Sequence, residues 1–358
     1  MVKKSQNTNL NLRSAKTDKK DEFYTQLSDI EKELKHYKNH FKDKVVLCNC
    51  DDPRVSNFFH FFSYNFEKFG LKKLIATCYK SQDSDLFSQN NSERAIYLEY
   101  TGDKNGNNVP DVSEIGIKHL QGDGDFRSKE CIELLKQADI VVTNPPFSLF
   151  REYVSQLVEY DKKFVIIGNL NALTYRDIFK LVKENKLWFG HSIHSGDREF
   201  RVPQDYPLNA AGSRVDEEGN KYIRVKGVRW YTNLDFNERH EDLILYKTYN
   251  EEEYPKYENF DAINVDVTKD IPVDYAGAMG VPITFIDKYN PDQFEIIGLG
   301  ISNSGIEIGV EPYKPEHKKY RKEIQKRGAV DGDLYMMKNG IVEVPYARIL
   351  IKNKKLWT

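Results

Sequence analysis

Short apolar runs alternate with helix-like segments through the first half of this 358-residue chain, and this alternation restricts the fold more than any other feature. Five runs have the length and composition of buried strands: Val45–Cys48, Leu74–Tyr79, Ala95–Tyr100, Asp139–Thr143 and Phe164–Gly168. Segments with helical character lie around them: residues 21–40, 56–70, 129–137, 175–185 and a helix from about residue 149. Alternating strands and helices with short connections predict an α/β fold, with a doubly wound, largely parallel sheet and helices on both faces. Ligands bind such sheets at the carboxyl ends of the strands.

The second half of the chain departs from this pattern. Strand-like runs at Leu187–Phe189, Lys226–Thr232 and Leu243–Tyr246 predict an antiparallel edge, interrupted by a polar loop over residues 191–221. From about residue 251 onward Pro, Tyr and Gly increase and turns become frequent, which predicts a second domain at 251–358. Residues 1–20 are polar without periodicity, so a flexible arm is expected there and the main domain spans 21–250.

The composition argues against several classes of protein. The polar N-terminus lacks the apolar core of a signal peptide and no 18 apolar residues run consecutively, so we expect no membrane segment and a cytoplasmic location. The four cysteines, at positions 48, 50, 78 and 131, lack CxxC spacing and predict buried thiols rather than a zinc site or a disulfide framework. The eight histidines form no ligand-spaced cluster, so no metal is expected.

The net charge of −2 provides no overall attraction to nucleic acid, so any such contact requires local basic patches. The run Lys318–Lys322 is one candidate, although a run of this kind also suits a solvated helix face.

The sharpest chemical feature is Asn144-Pro145-Pro146-Phe147, which ends an apolar strand and precedes a helix. An exocyclic amine on an aromatic base is a poor nucleophile, because its lone pair is delocalised into the ring. Two fixed acceptors that take both amine hydrogens restore its reactivity. The side-chain oxygen of Asn144 and the carbonyl of Pro145 can serve, because consecutive prolines hold the backbone in place, and Phe147 can stack on the base. The alternative is an ordinary strand-ending turn, since Asn-Pro is common in turns.

Asn144–Phe147 resembles the signature of amino-methylating DNA methyltransferases, and other segments fit the same group in order. Phe23-Tyr24-Thr25-Gln26 is similar to its N-terminal cofactor motif, with Gln26 in place of a frequent proline. The turn Cys48-Asn49-Cys50-Asp51-Asp52-Pro53 with Asn57-Phe58-Phe59, the segment Gly122–Phe126 and Thr143–Phe150 together resemble the EcoRI-type adenine methyltransferase family. The resemblance spans most of the chain.

This resemblance implies a Rossmann-like methyltransferase sheet that binds S-adenosylmethionine. It implies cofactor contacts at eight positions: Tyr24, Thr25, Asn49, Asp51, Asp52, Pro53, Asp125 and Phe126. Asp51 or Asp52 could accept hydrogen bonds from the methionine ammonium, and Asp125 is expected at the adenine amino group of the cofactor. Each of these acidic residues also suits an ordinary turn. No acidic residue for the cofactor ribose is identified, and Glu99 is better explained as a strand-end glutamate.

The resemblance further implies a site-specific enzyme that methylates N6 of an adenine flipped out of double-stranded DNA. Four arginines are candidates for DNA contact, although surface ion pairs explain arginines equally simply: Arg198, Arg201, Arg214 and Arg224. Residues 251–358 would form a C-terminal target-recognition domain. The resemblance suggests GAATTC or a relative as target, and a restriction endonuclease that shares this target as a partner. We expect a monomer, because an enzyme that modifies one strand per event can methylate the second strand in a second encounter. We expect no metal, because methyl transfer from a sulfonium needs only positioning and electrostatics.

Other functions remain open on the residues alone. An RNA or protein-glutamine methyltransferase can use the same Asn-Pro-Pro motif with an aromatic residue. A non-catalytic DNA-binding protein on a methyltransferase scaffold is a third possibility, and the intact Asn144 and Phe147 argue against it.

Overall fold

The computed structural model describes residues 23–53, 56–78, 95–107, 109–111, 113–202, 204, 206–208 and 212–356, so the arm predicted at 1–20 lies outside the described residues. These residues form two compact units. The first contains the described chain up to Ala172 together with Phe189–Asp235, and the second contains Leu173–Trp188 and the chain from Phe236 onward. The functional division predicted at residue 250 stays a prediction.

The first unit is built on a mixed sheet of eight strands. In chain order these are β1 (Val45–Cys48), β2 (Lys73–Thr77), β3 (Ile96–Tyr100), β4 (Gly116–His119), β5 (Ile140–Thr143), β6 (Lys163–Asn169), β7 (Trp188–Phe189) and β11 (Val228–Thr232). The strand order is β4-β3-β2-β1-β5-β6-β11-β7. The prediction of an α/β fold is confirmed, and so is an antiparallel edge, because β11 runs antiparallel to β6.

The prediction of a largely parallel sheet is wrong outside the centre. The central neighbours β2, β1, β5 and β6 are parallel, whereas β3 runs antiparallel to β2 and to β4. Parallel neighbours need a crossover connection, usually a helix. The described residues between β3 and β4 form no helix, so these two strands pair as an antiparallel ribbon.

Helices of the first unit follow the sequence pattern closely. They are α1 (Leu27–Leu34), α2 (Asn57–Tyr64), α3 (Phe66–Phe69), α4 (Lys129–Gln137) and α5 (Phe150–Glu159). The single helix predicted over residues 56–70 is broken at Asn65, and Gly70 ends it as predicted, with φ +62°. Phenylalanines at 58, 59, 61, 62, 66 and 69 are all buried, which explains why this segment is apolar on most of its surface.

The prediction of a polar loop over residues 191–221 is also wrong. This segment contains strands β8 (Asp197–Val202) and β9 (Arg214–Val215), which flank β10 (Lys221–Lys226) in a three-stranded antiparallel sheet of order β8-β10-β9. Phe200, Val202 and Ile223 are buried on one face of this sheet while charged residues alternate with them, which is the period-2 pattern of a half-exposed strand.

The strand predicted at Leu243–Tyr246 does not form. The side chains of Ile244 and Tyr246 are 85% and 63% exposed, so these apolar residues do not face a core. An apolar run that no neighbouring strand covers buries too little surface to order itself as a strand.

The second unit has its own four-stranded sheet, in the order β12-β13-β17-β14. Its strands are β12 (Ala262–Asn264), β13 (Ala278–Pro282), β14 (Phe294–Gly300) and β17 (Arg348–Asn353), with a separate hairpin of β15 (Met336–Lys338) and β16 (Ile341–Glu343). Its helices are α6 (Arg176–Lys183), α7 (Ser302–Glu307) and α8 (Pro315–Glu323). Among the helices of the described ranges, none has the length and apolar character needed to cross a membrane.

Candidate active site

Asn144 lies directly after β5, buried, with 6% of its surface exposed. Its side-chain Nδ2 donates a hydrogen bond of 2.5 Å to the backbone carbonyl of Phe23. A carbonyl can only accept, so this bond fixes which end of the amide is nitrogen. The other end, Oδ1, has no hydrogen-bond partner among the residues that the structure describes. A buried acceptor without a donor costs about 1–3 kcal/mol, so its persistence marks a place where a ligand donor belongs.

The rest of the motif forms a tight turn into α5. The carbonyl of Pro146 accepts a hydrogen bond of 3.0 Å from Leu149 N, which closes a short 3-10 turn over Phe147–Leu149. The Phe147 ring meets the Phe23 ring edge-on at 5.7 Å and is only half-buried. A rigid turn therefore presents Asn144 beside a partly exposed aromatic ring.

The turn after β1, predicted to bind the cofactor, lies at the same edge of the sheet. The backbone carbonyl of Asn49 accepts a hydrogen bond from Thr143 Oγ1, and its side-chain oxygen accepts one from Tyr153. Thr143 immediately precedes Asn144, and β1 and β5 are parallel neighbours. The carboxyl ends of two adjacent strands thus bring Asn49 and Asn144 together, as the sequence predicts.

Of the two aspartates in this turn, Asp51 is buried and Asp52 is half-buried. Asp51 is 7% exposed and its carboxylate accepts a hydrogen bond of 3.3 Å from Ser56 Oγ, while the carbonyl of Asp52 accepts one of 2.8 Å from Ser56 N. Cys50, which precedes the two aspartates, adopts φ +80°, and Pro53 follows them. A carboxylate held at the end of a central strand suits a cationic ligand group.

Burial sets the protonation of the neighbouring groups. It raises the pKa of the Tyr153 phenol well above its usual value, so the hydroxyl stays protonated and donates to Asn49. Burial, assisted by the charge of Asp51, likewise raises the pKa of the Cys48 and Cys50 thiols. These cysteines are neutral at physiological pH, which makes them poor nucleophiles.

The segment Phe23–Thr25 crosses the site. Tyr24 pairs with Arg201 of β8 through two backbone hydrogen bonds of 2.9 and 3.2 Å. The carbonyl of Thr25 accepts a bond of 2.7 Å from Asn57 Nδ2, while Thr25 Oγ1 is buried and unpaired within the described chain. One short segment therefore joins Asn144, the small sheet and the start of α2.

The predicted cofactor residues Asp125 and Phe126 lie on a turn against the end of β2. Gly124 has φ +80°, and a Cβ there would lie 2.0 Å from the carbonyl oxygen of Cys78, so only glycine fits. Asp125 is held by Arg127, whose Nε and Nη2 donate to its two carboxylate oxygens at 2.9 and 2.7 Å. Phe126 is buried and its ring lies 5.0 Å from that of Tyr153. The turn is thereby tied to the same helix, α5, as the turn after β1.

The four arginines proposed for DNA contact do not share one environment. Arg201, Arg214 and Arg224 lie on the exposed face of the three-stranded sheet. Arg198 lies on the opposite face, with Phe200, and is only partly exposed. The structure brings three of the four together.

Sequence reasoning missed two buried side chains that hold this region. Tyr153 lies on the buried face of α5 together with Phe150, Val154 and Leu157, and a hydroxyl on an otherwise apolar face was the available signal. Glu33 of α1 is fully buried and accepts hydrogen bonds from Tyr37 Oη and from the backbone N–H groups of residues 191 and 192, at 2.7 to 2.9 Å. The two backbone partners lie 158 and 159 residues away in sequence, so no local pattern could predict these hydrogen bonds.

Glu99 forms ion pairs with Lys73 and Lys118, whose hydrogen bonds hold its pKa below the usual value. This pairing agrees with its interpretation as a structural strand residue. The segment that follows β2, residues 79–94, lies outside the described residues.

The structure has the features expected of a methyltransferase that acts on amino groups: a parallel sheet centre, an Asn-Pro-Pro-Phe turn at the end of a central strand and an acidic turn at the neighbouring strand. The family model for the adenine-specific methyltransferase EcoRI matches residues 11–354, so the chain belongs to that family and is an adenine-specific DNA methyltransferase.

Three relatives agree with this assignment. The chain is 50% identical over 351 residues to the type II methyltransferase M.EcoRI of Escherichia coli, which covers 98% of each chain. It is 42% identical to the type II methyltransferase M.MpnI of Mycoplasma pneumoniae, over 79% of this chain and 83% of the relative. It is 41% identical to the type II methyltransferase M.MgeORF184P of Mycoplasma genitalium, over 79% and 84%. No solved structure matches the chain.

Proposed function

We propose that the chain transfers a methyl group from S-adenosylmethionine to N6 of an adenine flipped out of double-stranded DNA. The observation that carries this proposal is Asn144 Oδ1, a buried acceptor with no donor among the described residues, whose orientation is fixed by the bond from Nδ2 to Phe23. An exocyclic amine supplies the missing donor.

Asn144 and Pro145 act on the adenine amine. One N6 hydrogen donates to Asn144 Oδ1 and the other to the Pro145 carbonyl, which draws the nitrogen away from conjugation with the ring and frees its lone pair. Both acceptors are in place before the substrate arrives, so little reorganisation is needed during the reaction. Phe147, with a partly exposed ring, stacks on the base and offsets part of the few kcal/mol that flipping costs.

S-adenosylmethionine, when bound, supplies a methyl group on a sulfonium, which needs positioning and no metal. The buried carboxylate of Asp51 and the unpaired Thr25 Oγ1 are the groups that fit it. We propose that Asp51 or Asp52 binds its ammonium group and that Asp125, fixed by Arg127, accepts from its adenine amine. The proposed cofactor contacts also include Tyr24, Asn49, Pro53 and Phe126.

The remaining parts of the proposal concern the DNA and its context. We propose that residues 251–358 contribute target recognition and that the target is GAATTC or a relative, as the family resemblance suggests. We also propose that the enzyme acts as a monomer in the cytoplasm, beside a restriction endonuclease with the same target. A monomer suffices because the second strand of the site can be methylated in a second encounter.

Tritiated-methyl transfer from S-adenosylmethionine tests the proposal, with unmethylated bacterial DNA, RNA and a protein extract as parallel substrates. We expect label in DNA alone, N6-methyladenine as the labelled nucleoside, and sequencing to place it within one short site. Label in RNA or protein instead would overturn the substrate assignment. No transfer to any of the three, despite measurable cofactor binding, would favour a non-catalytic DNA-binding protein.

A further inference from the structure

The three-stranded sheet has one face that is both exposed and basic. Cross-strand pairs place Arg201 and Arg214 opposite Tyr222, Arg224 opposite Glu199, and Lys226 opposite Asp197. Directly opposite residues of an antiparallel pair point to the same face of the sheet. Four cations and two carboxylates of the paired strands therefore share this face, and Asp216, which accepts a hydrogen bond of 3.1 Å from Tyr222 Oη, adds a third carboxylate. The face keeps one excess positive charge, whereas the whole chain carries a net charge of −2. The local charge is opposite in sign to that of the whole molecule.

Arg214 is fixed in place on this face. Its Nε and Nη2 donate to the two carboxylate oxygens of Glu199 at 2.9 and 2.6 Å, and its guanidinium lies 4.2 Å from the centre of the Tyr222 ring. These hydrogen bonds hold the pKa of Glu199 below its usual value, so the pair stays ionised at neutral pH. The pairing neutralises Glu199 and holds the Arg214 guanidinium over the Tyr222 ring.

Arg201 and Arg224 are exposed, and neither forms an ion pair with a carboxylate in the part of the chain that the structure describes. A guanidinium fork matches two phosphate oxygens in the way that it matches a carboxylate. These two side chains, with Lys226, are the groups on this face that can take an anionic ligand.

The same sheet is attached to the catalytic turn. Arg201 pairs with Tyr24 through its backbone, and the neighbouring Phe23 both holds Asn144 and packs at 5.8 Å against Phe200 on the buried face of the sheet. Only Phe23 and Tyr24 separate Asn144 from Arg201 in this chain of contacts, so a duplex with its target base at Asn144 is wide enough to extend beyond the catalytic turn to nearby elements. The basic face is thus connected to the catalytic turn through Phe23 and Tyr24.

We propose that this face, formed by Arg201, Arg224 and Lys226 around Tyr222, binds the sugar-phosphate backbone of the duplex beside the target adenine. β9 contributes two residues to the sheet, so β8 and β10 form most of this surface. The exposed guanidiniums of Arg201 and Arg224 and the ammonium of Lys226 match phosphate oxygens, and contacts to phosphates contribute affinity and position without reading bases. This inference rests on the proposed function and identifies part of its DNA-binding surface.

The test is the salt dependence of duplex binding by the full chain, measured by fluorescence anisotropy with and without the target site. Each phosphate contact contributes about 0.9 to the slope of log K against log salt. R201Q and R224Q should each lower the slope by about 0.9, and the double variant by about 1.8, equally on target and non-target duplexes. D197N, which removes a negative charge from the same face, should tighten binding.

K136Q is the matched control, because Lys136 is an exposed, ion-paired cation of α4 shortly before the start of β5, whereas Asn144 follows the other end of that strand. It should keep the wild-type slope, and thermal unfolding of every variant checks that the fold is intact. Unchanged slopes for R201Q and R224Q, with DNA binding by the wild type, would overturn this inference and leave the proposed function standing. A loss confined to the target duplex would show base reading and would also overturn it. Failure of the wild type to bind any duplex would overturn both.

Discussion

Replacing Tyr153 by phenylalanine tests how the turn after β1 is held. The substitution removes one hydroxyl and keeps the ring, including its contact at 5.0 Å with Phe126. It deletes the hydrogen bond to the side-chain oxygen of Asn49, a residue that is 6% exposed. The oxygen would then be buried without a donor.

An unmade hydrogen bond at a buried acceptor costs about 1–3 kcal/mol, so the free energy of unfolding should fall by that amount. Asn49 adjoins Cys50 and Asp51, so a loosened turn should also weaken S-adenosylmethionine binding. We expect the dissociation constant to rise about fivefold to tenfold, which corresponds to roughly 1–1.4 kcal/mol. Asn144 keeps its own bond to Phe23, so transfer at saturating cofactor should change little.

Urea unfolding followed by circular dichroism measures the stability change, and calorimetry measures cofactor affinity. Tyr64→Phe is the matched control, because Tyr64 is 61% exposed and its hydroxyl should not matter. Lower stability of Tyr153→Phe with unchanged cofactor affinity would refute the role of this turn in binding. A large loss in the rate of methyl transfer at saturating cofactor would refute the assignment of Asn49 to cofactor binding and of Asn144 to the transfer step.

Three further predictions concern the supports of the site and the sheet. Gly124→Ala should destabilise the protein by at least about 1–3 kcal/mol in urea and weaken cofactor binding, because its Cβ would lie 2.0 Å from a carbonyl oxygen. Gly106→Ala, with a similar positive φ but open space, should show only the smaller backbone strain, and equal losses would contradict the steric argument. Glu33→Gln should lower the free energy of unfolding by about 2–3 kcal/mol, because the new amide NH2 group would face a backbone N–H that now donates a hydrogen bond to the carboxylate. A decrease of less than about 0.5 kcal/mol would contradict this prediction. Glu99 has a pKa lowered by Lys118 and Lys73, so its ion pairs stabilise the fold above about pH 4.5 and are lost as pH falls below it. Glu99→Gln should therefore flatten the pH dependence of stability below about pH 4.5, and an unchanged profile would exclude the pairing.

The central strands and the catalytic turn could be predicted from the sequence because their signals are local. A buried parallel strand is a continuous apolar run, and two consecutive prolines after Asn144 fix the backbone whatever surrounds them. The helix predicted at residues 129–137 has those bounds in the structure, where Ser128 caps its first turn by accepting from Cys131 N.

The parts that the sequence did not reveal depend on distant partners. Strands β8 and β10 alternate charged and apolar residues, and a polar segment with that pattern resembles a loop until its neighbour across the sheet is known. Tyr153 and Asn49 are 104 residues apart, and the group that orients Asn144 is a backbone carbonyl, which has no residue signature. The opposite error was made at Leu243–Tyr246, where apolar residues predicted a strand although Ile244 and Tyr246 are exposed.

The central claim is that Asn144 Oδ1 accepts a hydrogen bond from the target adenine amine. Single-turnover methyl transfer by Asn144→Ala tests it most directly, on a duplex that sequencing has shown to be methylated by the wild type, with saturating S-adenosylmethionine. Loss of one preorganised polar contact to a transition state typically costs about 10²–10³ in rate, and we expect a loss of that size. Cofactor affinity, measured by calorimetry, should stay within about twofold of the wild type, since no cofactor contact is removed. Transfer at the wild-type rate by Asn144→Ala, with N6-methyladenine as the product, would contradict the account.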